Sequence, residues 1–397
     1  MLILISACLA LLAGMLSIPV AVFLTEILAS LLPQKDEPFD NSGFGPFGSV
    51  AVVVPAHDES SGILPTIHDI VPQLARGDHL VVVADNCTDD TAAVATAAGA
   101  EVLVRNDLEK IGKGYALATA IDHLKTNPPA FVIFIDADCR IQSDLIEKMR
   151  GICNHLRRPI QARYLMKMAV NSPIDHSFAE FAWAIRNVAR PLGLKNLGCP
   201  TQLMGTGMIF PWELISTAPL ASGHHVEDLK LGLDLAAAGK APHFFASVVC
   251  KSEFPISTSG TDSQRQRWVG GHVGMIVKML PKYFWLAFTG LNFDLLVLAF
   301  DLAVPPLSLL GILTLGIFVL SSGAWFVGCS PAAFMIATGN LLAFVLAILV
   351  AWLRFGRNIL PASGLPSIMA LIFQRLKLYG QLLLGKTASN WIRTDRG

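Results

Sequence analysis

The pattern of hydrophobic residues divides the chain into a middle region of short apolar runs and two ends with much longer ones. In the middle region, five runs rich in aliphatic and β-branched residues are predicted strands: 49–55, 79–85, 100–105, 131–136 and 159–165. Stretches with helical patterning lie between some of these runs, at 91–99 and 114–125. Short strands that alternate with helices predict an α/β domain with a mostly parallel sheet and crossover helices.

The long apolar runs at the two ends predict membrane-spanning helices. Residues 2–32 contain a single charge, Glu26, and are long enough to cross the roughly 30 Å hydrocarbon layer of a bilayer. A cleaved signal peptide is the alternative, but it would have a basic start and a shorter apolar run, so we favour a retained helix. Two uncharged runs, 304–325 and 332–353, predict a second and a third span.

Two segments beside these spans are apolar but carry charges. Residues 283–303 include Asp294 and Asp301, and we interpret this segment as a helix in the membrane interface, with a fourth span as the alternative. After residue 354, basic residues recur with apolar spacing. This tail predicts a helix on the inner leaflet, in contact with anionic lipid, or one that packs against the middle domain.

Basic residues near the spans predict the orientation, because Lys and Arg accumulate on the cytoplasmic side. They lie after the first span, before the second and after the third: Lys35, Lys278, Lys282, Arg354 and Arg357. We therefore expect a multi-pass protein of the cell (inner) membrane with its N-terminus outside. The expected organisation is a transmembrane helix (1–33), a linker (34–48), a cytoplasmic domain (49–281), an interfacial helix (282–303), two transmembrane helices (304–325 and 332–353) and a basic cytoplasmic tail (354–397).

Composition supports a membrane protein and excludes several other classes. Of the 397 residues, 53% are hydrophobic and 15% charged, whereas a soluble domain has roughly 25% charged residues. The formal net charge of +0, without a basic stripe, argues against nucleic acid as a partner. The seven cysteines are scattered without a C-x-x-C pair, which fits a reducing compartment and speaks against structural zinc or disulfides.

Acidic residues follow three of the predicted strands. Glu59 follows the first strand, Asp85 ends the second, and Asp136 and Asp138 end the fourth. Ligands of parallel α/β sheets bind beyond the carboxyl ends of the strands, so these carboxylates predict one site. Two adjacent carboxylates repel each other unless a cation lies between them, and Mg²⁺ binds carboxylates together with substrate phosphates. A surface turn is the alternative explanation for an isolated Asp-x-Asp.

Two further segments offer groups that could act on a phosphate-bearing substrate. Lys113, in IGKGYAL, precedes a predicted helix without the pattern of a Walker loop; a solvated lysine is the alternative. Glu227 and Asp228 begin the helical segment 224–239, where the helix dipole favours carboxylates; simple capping is the alternative.

The segment 261–274, TDSQRQRWVGGHVG, combines Arg267 and Trp268 with Gln264 and Arg265. A planar guanidinium suits the charge that develops on a departing diphosphate, and an indole offers a face to a sugar ring. An amphipathic interfacial helix with snorkelling arginines is the alternative, although it does not explain the glutamines.

With these residues together, the chain resembles the membrane-embedded family 2 glycosyltransferases, the group of cellulose, chitin, hyaluronan and poly-N-acetylglucosamine synthases. The resemblance covers roughly 48–280 and rests on seven motifs in order: PAHDE, DNCTDDT, GKGYAL, DAD, QLMGTGM, VEDLKLGLDL and QRQRW. It implies a GT-A type nucleotide-sugar-binding domain, joined here to transmembrane helices. His57 and Asp58 depart from the Tyr-Asn that is frequent in the family.

The resemblance also implies a role for each matching residue. Asp228 would be the catalytic base, with Glu227 beside it. The donor would be bound by Pro55, Glu59, Asp85, Lys113, Asp136 and Asp138. Of these, Asp85 would contact the base of the nucleotide, and Asp138 would ligate Mg²⁺ or Mn²⁺ on the diphosphate. The acceptor and the diphosphate would be held by Gly205, Thr206, Gln264, Arg265, Arg267 and Trp268.

The function implied is inverting, metal-dependent transfer of a hexosyl or N-acetylhexosaminyl unit from a nucleotide-sugar, UDP-linked by preference, to a growing cell-surface polysaccharide. Three spans look too few for a polysaccharide channel, so partner subunits, a homo-oligomer or a lipid-linked acceptor are expected. Single transfer to a lipid, as in ceramide glucosyltransferases, is the main alternative, and a catalytically dead scaffold is another. A transporter is excluded because the spans lack polar or broken segments.

Overall fold

The structure, a computed structural model, describes residues 1–33, 48–168, 174–222, 226–254 and 258–362. Side chains are described for these residues except 174–176 and 258–265. Most of the predicted tail, 363–397, therefore lies outside the described residues, as does most of the linker.

The middle region is built on one eight-stranded mixed sheet. Its strands are β1 (Val50–Ala56), β2 (His79–Asp85), β3 (Glu101–Arg105), β4 (Phe131–Phe134), β5 (Arg140–Ile141), β6 (Ile160–Lys167), β7 (Met208–Pro211) and β8 (His243–Glu253). Their order across the sheet is β3-β2-β1-β4-β7-β6-β8-β5. Strands β1 to β4 are parallel, whereas β7 runs antiparallel to both its neighbours and β5 antiparallel to β8.

Helices cover the sheet and continue beyond it. Those of the middle region are α2 (Ile63–Ile70), α3 (Thr91–Ala97), α4 (Lys113–Leu124), α5 (Leu145–Leu156), α6 (Ile174–Ala184), α7 (Arg190–Asn196), α8 (Trp212–Ile215), α9 (Glu227–Ala237) and α10 (Thr258–Lys278). The others are α1 (Leu2–Ala29), α11 (Leu280–Thr289), α12 (Phe293–Ala303), α13 (Leu307–Phe326) and α14 (Pro331–Ala351). Short 3₁₀ and π turns occupy Val71–Gln73, Ile185–Ala189 and Trp352–Gly356.

The core explains why the predicted strands are uninterrupted apolar runs. Alternate residues of β1 point to opposite faces of the sheet, so Val52 packs into one hydrophobic cluster and Val53 into another. Both residues are fully buried, because helices cover both faces. The five predicted strands are all present to within two residues at each end, whereas β5, β7 and β8 were not predicted.

Within the described ranges, three helices are long and apolar enough to cross a membrane: Leu2–Ala29, Leu307–Phe326 and the continuous stretch Pro331–Gly356. The first packs against the other two and, at its C-terminal end, against the middle region. The backbone approach is close at Gly193 of α7, where an added Cβ would collide with the carbonyl oxygen of Glu26. The first of these apolar helices and the sheet domain are therefore in direct contact.

The single interfacial helix expected over 283–303 is instead two helices, α11 and α12. They meet at Gly290–Asn292, where Leu291 has a left-handed φ of 48° and Asn292 caps α12 by accepting a hydrogen bond of 2.9 Å from Leu295 N–H. With 10 and 11 residues, neither helix reaches the length needed for a span.

Candidate functional site

The acidic strand ends lie side by side in the sheet. Strands β2, β1 and β4 are adjacent and parallel, so Asp85, the segment after β1 with Glu59, and the segment after β4 with Asp136 share one edge. The chain order reverses between β1 and β4, because β2 and β3 lie on one side of β1 and β4 on the other. Open α/β sheets bind ligands at such a switch point.

Asp136 and Asp138 occupy the turn that follows β4. The backbone N–H of Asp136 donates a 3.0 Å hydrogen bond to the hydroxyl of Thr206, and the hydroxyl of Ser252 donates one of 2.6 Å to Asp138 Oδ2. Thr206 and Ser252 are both buried, so they fix the turn against the sheet.

This turn fits a hard divalent cation. Single ligand atoms of Asp136, Asp138 and Cys139 lie within 4.8 Å of one another. Burial raises the pKa of the Cys139 thiol well above its usual value, so the sulfur stays protonated and is a poor ligand. The two carboxylates remain, and Mg²⁺ and Mn²⁺ prefer oxygen ligands of this kind.

Lys113, the first residue of α4, contacts the same turn. Its ammonium forms an ion pair with Asp136 and donates a 2.8 Å hydrogen bond to the carbonyl oxygen of Gly205. Burial lowers the pKa of Lys113, but the charges of Asp136 and Glu227 outweigh that effect and raise it. Lys113 therefore remains a cation, surrounded by carboxylates.

The close approach of α4 to the loop before α9 depends on Gly114. A Cβ at this position would lie 2.5 Å from the carbonyl oxygen of Leu220 and 2.7 Å from that of Ser222. The second glycine of the GKG motif thus serves packing rather than a phosphate loop. Lys113 and Ser222 line a cavity together with Glu227 and Asp228.

Glu227 and Asp228 form the first turn of α9 and face this cavity. Burial raises the pKa of Glu227 to about 7, against the lowering effect of Lys113 and with a further increase from Asp228. Burial also raises the pKa of Asp228, while the charges of Arg186 and Lys113 lower it. A carboxylate that is partly desolvated yet close to two cations suits a base that operates near neutral pH.

The loop before β7 brings Gly205 close to Lys113 and Asp228, and Thr206 close to Asp136. Gly205 has a left-handed φ of 91°, and a Cβ there would lie 3.5 Å from Asp228 Oδ2 and 3.7 Å from Lys113 Nζ. The buried side chain of Gln161 in β6 fixes this loop: its Nε2 donates to the carbonyl oxygen of Thr206 at 2.9 Å, and its Oε1 accepts from Met204 N–H at 2.7 Å.

Asp85 lies at the other end of this edge and is 2% exposed. Its Oδ1 accepts a 2.6 Å hydrogen bond from Arg105, whereas Oδ2 has no hydrogen-bond partner among the described residues. Burial raises the pKa of Asp85 despite the opposing charge of Arg105. Nearby, Glu59 N–H donates to Thr91 at 2.8 Å, and Pro55 lies within β1 beside Val83.

The Q-x-x-R-W residues lie on α10. The ring of Trp268 packs against Trp183, with 5.0 Å between ring centroids, and both contact the main core. Trp268 and Arg267 are half-buried. The side chains of Gln264 and Arg265 lie outside the described part of the chain, so their predicted roles are not tested.

Sequence reasoning missed the residues that support the site. Arg105 binds Asp85, and Gln161 binds the 204–206 loop. Ser252 binds Asp138, and Arg186 acts electrostatically on Asp228. None stands in a recognisable motif. Only Gln161 carried a signal, as a polar residue inside an otherwise predicted strand.

Comparisons with known proteins match most of the sheet domain. The family profile described as Glycosyltransferase like family 2 matches residues 46–271. The glucosyl-3-phosphoglycerate synthase of Mycolicibacterium paratuberculosis is 32% identical over 199 residues, which are 45% of this chain and 57% of that protein. The 4,4'-diaponeurosporenoate glycosyltransferase of Staphylococcus aureus is 34% identical over 105 residues, 25% of this chain and 27% of that one. This chain thus spans about half, or less, of the length of these curated relatives.

A solved structure is similar over more of the chain. The mannosyltransferase from Pyrobaculum calidifontis, in complex with GDP-Man and Mn²⁺, has a TM-score of 0.55 and 17% identity, covering 87% of this chain and 98% of the other. At this identity the likeness concerns the fold alone. The fold is GT-A, a mixed sheet with flanking helices, and the expected fold class is confirmed.

Proposed function

Because this chain belongs to the glycosyltransferase-like family 2, we propose that it transfers a sugar from a nucleotide-sugar to an acceptor hydroxyl at the membrane. The observation that carries the proposal is the position of Lys113 among carboxylates from two elements. Asp136 pairs with its ammonium, and Glu227 and Asp228 act on it electrostatically from α9. A donor diphosphate and an acceptor hydroxyl would meet at this point.

The donor is assigned to the edge formed by β2, β1 and β4. Asp85 Oδ2, which lacks a described partner, is suited to accept an N–H of a nucleobase. Lys113 is suited to contact the diphosphate, since its charge is retained. Pro55, on the strand between, and Glu59, in the segment that follows this strand, complete the donor site in this proposal.

Asp136 and Asp138 would hold Mg²⁺ or Mn²⁺ when the donor is bound. Such an ion supplies charge neutralisation for the departing diphosphate. Its presence in the Pyrobaculum mannosyltransferase, solved with GDP-Man and Mn²⁺, supports this part of the proposal. Arg267 carries a permanent positive charge and is proposed to act on the same diphosphate, together with Gln264.

Asp228 is proposed as the base. As the acceptor oxygen bonds to C1 of the sugar, its proton passes to an oxygen of Asp228, and the bond from C1 to the diphosphate oxygen breaks. The nucleoside diphosphate leaves with that electron pair, and the configuration at C1 inverts. Glu227 lies beside Asp228 and, with a pKa of about 7, can take up or release a proton near neutral pH.

For the acceptor, a growing cell-surface polysaccharide remains the first candidate, because Q-x-x-R-W is typical of polymerising enzymes. Arg265, Trp268 and Gly205 would contribute to acceptor binding, and Thr206, which is buried, would act by fixing the turn of Asp136. A lipid acceptor is the second candidate. It is favoured by the direct contact between the sheet domain and the apolar helix α1, which would hold the site close to the bilayer.

The three apolar helices support a multi-pass protein of the inner membrane. We keep the predicted orientation, with the sheet domain in the cytoplasm, where nucleotide-sugars are available. Partner membrane subunits or self-association would be required if the product crosses the bilayer, since three spans look too few for a channel.

The test is nucleoside diphosphate release by the purified full chain in detergent. UDP- and GDP-sugars are supplied with Mn²⁺ or Mg²⁺ and membrane lipid, and the products are separated by size. We expect metal-dependent release with one donor and none from Asp228→Asn. Long products would select the polysaccharide, and a single glycolipid the lipid acceptor. No release with any donor would contradict the proposal.

A further inference from the structure

A second cavity lies between the sheet domain and the helices next to the membrane. Its wall includes Leu229, the residue after Asp228, and Leu302 of α12. The cavity therefore connects the neighbourhood of the proposed base with a helix that packs against α1.

Arg186 lines this cavity from the π-helical turn Ile185–Ala189. Its guanidinium has no hydrogen bond or ion pair with any other residue that the structure describes. Burial lowers the pKa of Arg186, which nevertheless stays protonated at neutral pH. A half-buried cation that forms no ion pair with a described carboxylate is costly, and π turns are frequent at functional sites.

The other charged and titratable groups of the cavity are accounted for. Arg190 donates to Glu26 Oε2 at 2.5 Å and to Asp301 Oδ1 at 2.6 Å, so it is already paired with two carboxylates. His272 is neutral, because burial lowers its pKa to about 3, and its Nε2 bonds the carbonyl oxygen of Leu302 at 3.2 Å. Arg186 is thus the cation of this cavity that is left for a ligand.

A polar acceptor also faces the cavity. Gln202 donates a 2.9 Å hydrogen bond through Nε2 to the carbonyl oxygen of Leu298, while its buried Oε1 has no partner among the described residues. An occupant with both an anionic group and a hydroxyl would satisfy Arg186 and Gln202 together.

We propose that this cavity binds an anionic oxyacid group, a phosphate or carboxylate, carried by the acceptor, and that Arg186 pairs with it. The inference rests on the proposed function, since it names the acceptor class of the same site. Asp228 lies within the electrostatic reach of both Arg186 and Lys113. An acceptor anchored at Arg186 would present a neighbouring hydroxyl to Asp228, opposite the donor held at Lys113.

The test measures binding alone, by isothermal titration of the full chain in neutral detergent without donor. The probes are inorganic phosphate, dioctanoyl phosphatidic acid and uncharged dioctanoylglycerol. We expect a phosphate-bearing probe to bind, and Arg186→Gln to weaken that binding by about tenfold or more. Arg186→Lys should retain part of the affinity, and Arg76→Gln, an exposed arginine, should leave it unchanged.

The outcomes separate the possible sources. Arg186-dependent binding of phosphatidic acid but not of inorganic phosphate would identify a lipid headgroup as the ligand. Arg186-dependent binding of both probes would identify a soluble anion. Binding that survives Arg186→Gln but is lost in Lys113→Gln belongs to the donor site and would overturn the inference. The inference would also be overturned if neither phosphate-bearing probe binds, or if dioctanoylglycerol binds as tightly as phosphatidic acid. Since no turnover is measured, this result is independent of whether the chain transfers sugar.

Discussion

The guanidinium of Arg190, in α7, donates a 2.5 Å hydrogen bond to the carboxylate of Glu26, the single charged residue of α1. The same guanidinium pairs with Asp301 of α12. Burial lowers the pKa of Arg190, but Asp301 and Glu26 outweigh that effect and raise it. One cation thus joins the first apolar helix, the sheet domain and the helix before the second span.

Removal of this cation should destabilise the protein strongly. Arg190→Met leaves Glu26 and Asp301 buried without a counter-charge, which costs about 3–5 kcal/mol. The measurement is thermal unfolding in detergent. Arg140→Met is the control, because Arg140 pairs with Asp69 at the surface, with 51% of its side chain exposed, and such pairs contribute about 1 kcal/mol or less. Equal stability of the two variants would show that the network is unimportant.

Asp228→Asn should abolish transfer but preserve donor binding. An amide of the same shape cannot accept the proton of the acceptor, so we expect kcat to fall by roughly a hundredfold or more. Donor affinity is measured by titration and turnover by nucleotide release. Glu213→Gln, at an exposed carboxylate, is the matched control. Loss of donor affinity in Asp228→Asn would mean that Asp228 binds the donor instead.

Asp138→Asn should weaken the Mn²⁺-dependent part of donor binding by about tenfold or more, because one of two carboxylate ligands is lost. Chelation of the metal should lower donor affinity of the natural chain and change the variant little. Ser252→Ala removes only the hydrogen bond that orients Asp138, so a smaller loss is expected. If chelation affects both proteins equally, Asp138 does not bind the metal.

The stability of the protein should depend on Glu227 between about pH 4.5 and pH 7. Its pKa rises from the ordinary 4.5 to about 7 on folding. In that window the unfolded chain has lost the proton that the folded protein keeps, so the free energy of unfolding falls as pH rises. Glu227→Gln should remove this slope, so the variant should gain stability relative to the natural chain as the pH rises to 8. Parallel unfolding curves against pH for both proteins would contradict the shift.

Gly114→Ala should disturb the cavity lined by Lys113, Ser222, Glu227 and Asp228. The new Cβ would meet the carbonyl oxygens of Leu220 and Ser222 below 3 Å, so the 220–222 segment must move. We expect a lower melting temperature and weaker donor binding. Gly274→Ala is the control, since a Cβ there meets nothing within 4 Å and alanine favours a helix by about 1 kcal/mol. If both variants bind donor normally, the segment is not part of the site.

Much of the site was predictable because it follows directly from strand ends. A run of buried apolar residues identifies a strand from its neighbours in the chain, and parallel strands put their ends at one edge. Asp85, Asp136 and Asp138 were found in this way. The hydrogen bonds to these residues could not be predicted, since Arg105, Thr206 and Ser252 meet them from 20 to 114 residues away.

The sequence by itself determined the α/β pattern, the three apolar helices and the acidic strand ends, since each depends on hydrophobic periodicity over a few residues. Only the tertiary structure decided which charges meet. It broke the 283–303 segment into two helices, inserted the antiparallel strand β7 beside β4, and paired Glu26 with Arg190 across 164 residues. These outcomes depend on how distant elements pack and desolvate one another, and no local pattern encodes them.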